Sequence, residues 1–122
     1  MNKQKKTLVL GASDNPARYS YLAIHRLRKH GHPVVAVGRK NTSVGDFTIV
    51  KEKIDFDGVD TVTLYLNQTH QKEYYEYILS LKPNRIIFNP GAENNELAEL
   101  AEKNKIKPVE ACTLVLLSTD QY

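Results

Sequence analysis

Thr7-Leu8-Val9-Leu10-Gly11-Ala12-Ser13-Asp14-Asn15-Pro16-Ala17-Arg18-Tyr19-Ser20-Tyr21 is the stretch whose reading decides the architecture. Its first part is a short, β-rich apolar run with no polar alternation, the pattern of a strand buried on both faces. Its second part enters a helix predicted over residues 18–30. At about 100° per residue, Ser20, Ala23, Ile24 and Leu27 share one face of it, while Arg26, Arg28 and Lys29 point elsewhere. Gly31 and Pro33 stop the helix, and Val34-Val35-Ala36-Val37 is the next strand. A buried strand, a tight turn, a helix and a second strand form a βαβ unit, which implies a parallel sheet.

The pattern continues outward from there. Residues 38–58 are the least regular part, with a minor strand or turn expected at Phe47 to Val50. Asp60 to Leu66 reads as a strong strand, and 70–81 as a helix ending at Lys82-Pro83. In that helix Tyr74 shares a face with Ile78 and Leu81 and is expected to be buried, whereas Tyr75 faces outward and offers a protein interface. Arg85 to Phe88 is another strand, and Asn94 is an N-cap for a helix over 95–103. Asn104 fits the left-handed position after that helix. Lys107 to Glu110 is a last strand whose Pro108 suits a sheet edge. The fold class expected is α/β: one domain over 1–122, a doubly wound, mostly parallel sheet with helices on both faces. Residues 1–6 form a flexible basic tail.

Composition narrows the function classes. With 122 residues, 41% of them hydrophobic and 25% charged, the chain is a globular domain rather than a disordered one. A single cysteine, Cys112, excludes an internal disulfide framework and an all-cysteine zinc site. His25, His30, His32 and His70 have no metal-ligand spacing. No apolar run suits a signal peptide or a membrane span, so a cytoplasmic, membrane-free protein is expected. The net charge of +3 is uneven: residues 1–40 carry nine Lys and Arg against one acid, Asp14, for a net of +8. Nucleic acid is not the expected partner, because no interleaved aromatics or recognition helix accompany the charge. A homo-oligomer or protein partner is left open.

In an open parallel sheet, ligands bind at the carboxyl ends of the strands where strand order reverses, so the loop after the first strand matters most. Gly11 can turn tightly, Ala12 and Ser13 are small, and the following helix start is an anion site to which Arg18 adds a bidentate cation. The loop carries only the first glycine of the G-x-G-x-x-G fingerprint. At the end of the second strand, where an NAD-binding domain has an acid for the ribose, this chain has Gly38-Arg39-Lys40. That disfavours NAD and suits an adenosine ribose with an extra phosphate, as in coenzyme A (CoA) or NADP. Charge alone does not separate those two.

The string Gly11-Ala-Ser-x-Asn-Pro-x-Arg-x-Ser-Tyr21, with eight defined positions, resembles the stand-alone CoA-binding proteins. That family is related to the N-terminal domain of the succinyl-CoA synthetase α subunit. The likeness continues through His30-Gly31, Lys40, Asn89-Pro90-Gly91, Asn94-x-Glu96 and Glu110-x-Cys112. It implies a Rossmann-like domain that binds CoA, or an acyl-CoA, through the 3′-phospho-ADP half. Carried over by position, Gly11, Ala12, Ser13 and Asn15 line the phosphate loop, and Arg18, Tyr19 and Ser20 stand at the helix start. Gly38 and Lys40 approach a phosphate of the adenosine half, and pantetheine runs near Asn67 and Asn89. The chain departs from the family pattern at Gly38-Arg39, where Asn-Pro is usual, at Asn89, where Gln is usual, and at Asn67-Gln68, where Arg-Pro is usual.

No Ser-His-Asp set, carboxylate pair or metal cluster emerges from the pattern. Synthetase-type relatives do their phosphoryl chemistry in a further domain and subunit, so binding without catalysis is the expectation. Two alternatives stand beside it: an NADP-binding oxidoreductase-like protein, and a protein-interaction module with a vestigial pocket. Cys112 reads either as a small buried hydrophobe or as a thiol near the CoA thiol.

Overall fold

The computed structural model describes residues 4–122. Along the chain run β1 (Thr7–Ala12), α1 (Tyr19–Lys29), β2 (Val34–Gly38), the short strands β3 (Thr42–Val44) and β4 (Phe47–Ile49), β5 (Thr61–Leu64) and α2 (Gln68–Gln71). A 3-10 turn (Lys72–Tyr74) then leads to α3 (Tyr75–Ser80), β6 (Arg85–Phe88), α4 (Asn95–Lys103), β7 (Lys107–Glu110) and α5 (Thr113–Ser118). Five strands form one parallel sheet in the order β2-β1-β5-β6-β7. The chain therefore builds outward from β1 to β2, then crosses back to place β5 on the other side of β1. Strand order reverses between β1 and β5.

β1 is apolar on both faces because both are covered. Leu8 and Leu10 join Val62, Leu64, Ile86 and Phe88 beneath Ile78 of α3 and Leu97 and Ala101 of α4. Val9 and Ala12 face Ile24 and Leu27 of α1 and Leu117 of α5. The doubly wound sheet read from the sequence is the one observed. Pro108 lies on the edge strand β7, where its missing N–H is tolerated. No helix among the described residues is long and apolar enough to cross a membrane.

Several local expectations are corrected. Of the basic tail, residues 1–3 lie outside the described residues, but Lys5 and Lys6 belong to the fold. The Lys5 amide donates to His32 Nδ1 at 3.0 Å, and Lys6 Nζ to the Asp57 carbonyl at 2.6 Å. The Lys6 carbonyl accepts from the Asp60 and Thr61 amides, extending the β1–β5 pairing upstream. The minor strand expected at Phe47 to Val50 is present as β4, and it pairs with β3 in an antiparallel hairpin that the sequence did not announce. Arg28 of α1 grips it through two bonds of 3.0 Å to Asp46 and by lying over the Phe47 ring.

The expected 70–81 helix is broken at the 3-10 turn, where a tighter winding shifts the helical phase. Tyr77 is consequently the buried tyrosine, its hydroxyl donating to the Ile54 carbonyl, while Tyr74 is half-buried. Tyr75 does not face outward: its hydroxyl donates to Glu96 and accepts from Asn94 Nδ2 at 2.8 Å. The left-handed residue after α4 is Lys105 (φ 61°), not Asn104, whose side chain bonds the Leu100 carbonyl.

His32 is buried, and burial, reinforced by the charges of His30, Lys5 and Arg85, holds its pKa below the ordinary 6.5. Its Nδ1 already accepts the Lys5 amide, so protonation there is opposed by geometry as well. The unfolded chain therefore binds a proton that the folded chain refuses. Stability from this residue is complete above about pH 6.5 and falls as the pH drops below it. Asp14, Asp46 and Asp60, all held below the ordinary 3.8, lose their contribution only in a lower window. Urea melts at about pH 7.5 and pH 5.5 should show weaker folding at the lower pH, and His32→Gln should flatten the difference. Equal melts for the unsubstituted protein would contradict a neutral buried His32.

Candidate functional site

A cleft of about 780 Å³ opens over the carboxyl ends of β1, β2 and β5, at the reversal of strand order. Two glycines shape its floor. Gly11 has φ 91°, and the register shifts across it, so Leu10 pairs with Val37 but Ala12 with Gly38. A Cβ on Gly11 would stand 2.9 Å from the Tyr65 carbonyl group, and one on Gly38 only 2.4 Å from the Ala12 carbonyl oxygen. Glycine is required at both places because the strands close tightly under the cleft.

The loop after β1 holds its own shape. Ser13 Oγ accepts from the Asn15 amide at 3.0 Å, and Asn15 Oδ1 accepts from the Ala17 amide at 2.9 Å. Asn15 thus folds the loop but does not line the cleft, whereas Gly11, Ala12 and Ser13 do. The loop delivers α1 with Arg18 in extended conformation as N-cap, no side-chain cap and no acid in the first turn. The first amides of a helix have no intrahelical acceptor and carry the positive end of the dipole. Arg18, Tyr19 and Ser20 line the cleft at this terminus.

The end of β2 supplies the opposite wall with Gly38, Arg39 and Lys40. Lys40 Nζ lies 3.5 Å from Asp14 Oδ2, and Thr42 Oγ1 donates to the same oxygen at 2.9 Å. The Thr42 bond chiefly holds the Asp14 carboxyl below its usual range; burial opposes it and Lys40 adds to it. Asp14 and Thr42 were not among the residues expected at the site. The available signal was that Asp14 is the sole acid in the basic first forty residues.

The end of β5 contributes Tyr65, Leu66 and Asn67, with His70 and Tyr74 beyond. Asn67 Oδ1 caps α2 by accepting the His70 amide at 2.9 Å. Burial pushes the Tyr65 hydroxyl up to about 12, against smaller downward pulls from Thr113 and Thr63. Asn89 does not reach the cleft. It is buried, with Nδ2 donating to Thr63 Oγ1 and the Leu64 carbonyl and Oδ1 accepting the Thr113 amide. Asn89-Pro90-Gly91 makes a turn closed by the Ala92 amide on the Asn89 carbonyl, and Pro90 is its part of the wall. Cys112 is half-buried at the start of α5 and lies off the cleft. Among the described residues no group of His, Cys, Asp and Glu could hold a metal ion.

A parallel sheet with a glycine-shaped loop, an uncapped helix start and basic residues converging on its switch point defines a Rossmann-like α/β domain with a cleft at that point. Within that class the chain belongs to the CoA binding domain family, which it matches over residues 5–118. A crystal structure of an uncharacterized protein is 54% identical, with a TM-score of 0.96, covering 99% of this chain and 100% of its own. A structure from Thermus thermophilus, described as cell-free ID.343, has 19% identity and a TM-score of 0.84 over 98% of this chain and 91% of that one. A hypothetical protein from Pyrococcus horikoshii OT3 has 23% identity and a TM-score of 0.87 over 96% and 84%. These two show the fold. No curated protein matches the chain. The donor set fits the family's ligand, since among the described residues the helix start and three cations, Arg18, Arg39 and Lys40, line one cleft with a single acid.

Proposed function

We propose that the protein binds coenzyme A, or an acyl-CoA, without transforming it. The diphosphate is held by the Gly11–Ser13 loop and the start of α1, with Arg18 as its cation. The adenosine 3′-phosphate meets Arg39 and Lys40, and pantetheine passes Asn67, His70 and Pro90. The observation that carries this reading is the pairing of an uncapped helix start and a basic strand end, at α1 and β2, within one cleft. Asp14, the one carboxylate lining the cleft among the described residues, is engaged by Thr42 and Lys40. The basic end of β2 also suits the 2′-phosphate of NADP, so that ligand belongs in the test. The interaction-module reading loses its main support, because Tyr75 is turned toward Asn94 and Glu96.

Thermal denaturation with CoA, dephospho-CoA and NADPH checks the proposal. Ligand at a hundredfold excess over Kd stabilises the native state by about 2.7 kcal/mol, on the order of ten degrees for a domain of this size. The expected result is a full shift with CoA, a smaller one with dephospho-CoA and little with NADPH. Equal shifts with the two CoA forms would remove Arg39 and Lys40 from the account. No shift with either would refute CoA binding.

A further inference from the structure

We infer that Asp14 is a resident surrogate for a ligand phosphate: in the ligand-free protein its carboxylate occupies Lys40 and Thr42, and a phosphorylated ligand displaces it to reach them. The inference rests on the CoA reading and goes beyond it, because it assigns the loop's own acid a part in setting affinity.

The geometry is that of one anion oxygen shared by two donors. Lys40 Nζ and Thr42 Oγ1 converge on Asp14 Oδ2 from 3.5 and 2.9 Å, and all three residues line the cleft. Asp14 lies in the middle of the loop that precedes the α1 anion site, where a carboxylate otherwise repels the ligand. Among the described residues it is the only acid on the cleft wall, which it shares with Arg18, Arg39 and Lys40.

The contact is built to be exchanged rather than kept. The Lys40 side chain is 70% exposed and that of Asp14 34%, so the pair is a surface ion pair, of the kind that contributes little to stability. A phosphate brings more charge and more acceptor oxygens than a carboxylate, and so wins the ammonium when it arrives. Until then the Thr42 bond ties the loop after β1 to the β3–β4 hairpin, which Arg28 fastens at its far end through Asp46. Asp14 therefore keeps the basic wall in place and neutralises part of it.

Asp14→Asn removes the charge while retaining an oxygen for Thr42. Calorimetric titration at low salt should give CoA binding roughly twofold to fivefold tighter in this variant. In a Lys40→Ala background the gain should largely vanish, because no ammonium is left to release. Asp14→Ser, which also removes the charge, should move affinity the same way and covers the case in which asparagine disturbs the loop. Unchanged or weaker binding in both Asp14 variants, while the unsubstituted protein binds CoA, would overturn the inference alone. The same gain with and without Lys40 would also overturn it, since general charge repulsion would then be the cause. Absence of CoA binding by the unsubstituted protein would remove the inference together with the reading beneath it.

Discussion

A Gly38→Ala protein is expected to lose about 3 kcal/mol of stability and most of its CoA binding. The added methyl would lie 2.4 Å from the Ala12 carbonyl oxygen and 3.0 Å from a methyl of Ile49. The first of these neighbours is backbone in the paired strand β1, so no rotamer change relieves the clash. β1 and β2 must separate at their carboxyl ends, which are the floor of the cleft. Separation carries Arg39 and Lys40 away from the loop that begins at Ala12, so stability and ligand affinity fall together. Gly31→Ala is the informative control. Gly31 has φ 84° and nothing within 4 Å of its missing Cβ, so alanine there meets only the left-handed backbone penalty of roughly 1–2 kcal/mol. Chemical denaturation and CoA titration of the two variants separate a packing requirement from a conformational one. A Gly38→Ala protein as stable as its parent would contradict the close approach of the strands.

The elements legible in the sequence are those whose residues carry a strong local period or a strong terminator. β1, α1 and α4 are of this kind: an unbroken apolar run, a four-residue face closed by Gly31, and an asparagine cap at Asn94 that accepts the Leu97 amide. What stayed hidden was set by tertiary contacts. α5 is six residues, Thr113-Leu-Val-Leu-Leu-Ser118, with Cys112 at the cap position making no side-chain bond. Such a segment has neither period nor signal and is helical because it closes over β1 beside α1. The break between α2 and α3 coincides with buried Gln71, whose amide donates to the Leu66 and Ala92 carbonyls, and no periodicity reports a buried glutamine. The site divides in the same way. Gly11, Ala12, Ser13, Arg18, Tyr19, Ser20, Gly38, Lys40 and Asn67 come together in the cleft, while Asn15 and Asn89 serve the backbone. An asparagine near a strand end looks the same in sequence whether its amide meets a ligand or a neighbouring loop.

Asn89 distinguishes those two roles by experiment. Asn89→Ala is expected to lower stability by about 3–5 kcal/mol, since it strips partners from the Leu64 carbonyl and the Thr113 amide, and each buried group left unpaired costs about 1–3 kcal/mol. The Thr63 hydroxyl keeps Thr113 Oγ1 at 2.7 Å and softens only part of the loss. Asn89→Asp should be no better. A carboxylate cannot donate to Leu64 or Thr63, and burying its charge at this 2% exposed position adds a penalty of its own. Three elements meet at this side chain: the end of β5, the turn after β6 and the first residue of α5. Its removal should therefore loosen α5 from the sheet, and amide hydrogen exchange at Thr113 to Leu117 should quicken before exchange in β1 does. Any CoA affinity measured on the molecules that remain folded should change less than stability, because Pro90 rather than Asn89 meets the cleft. The opposite pattern, with native stability and lost binding, would return Asn89 to the ligand and require the β6 turn to open toward it.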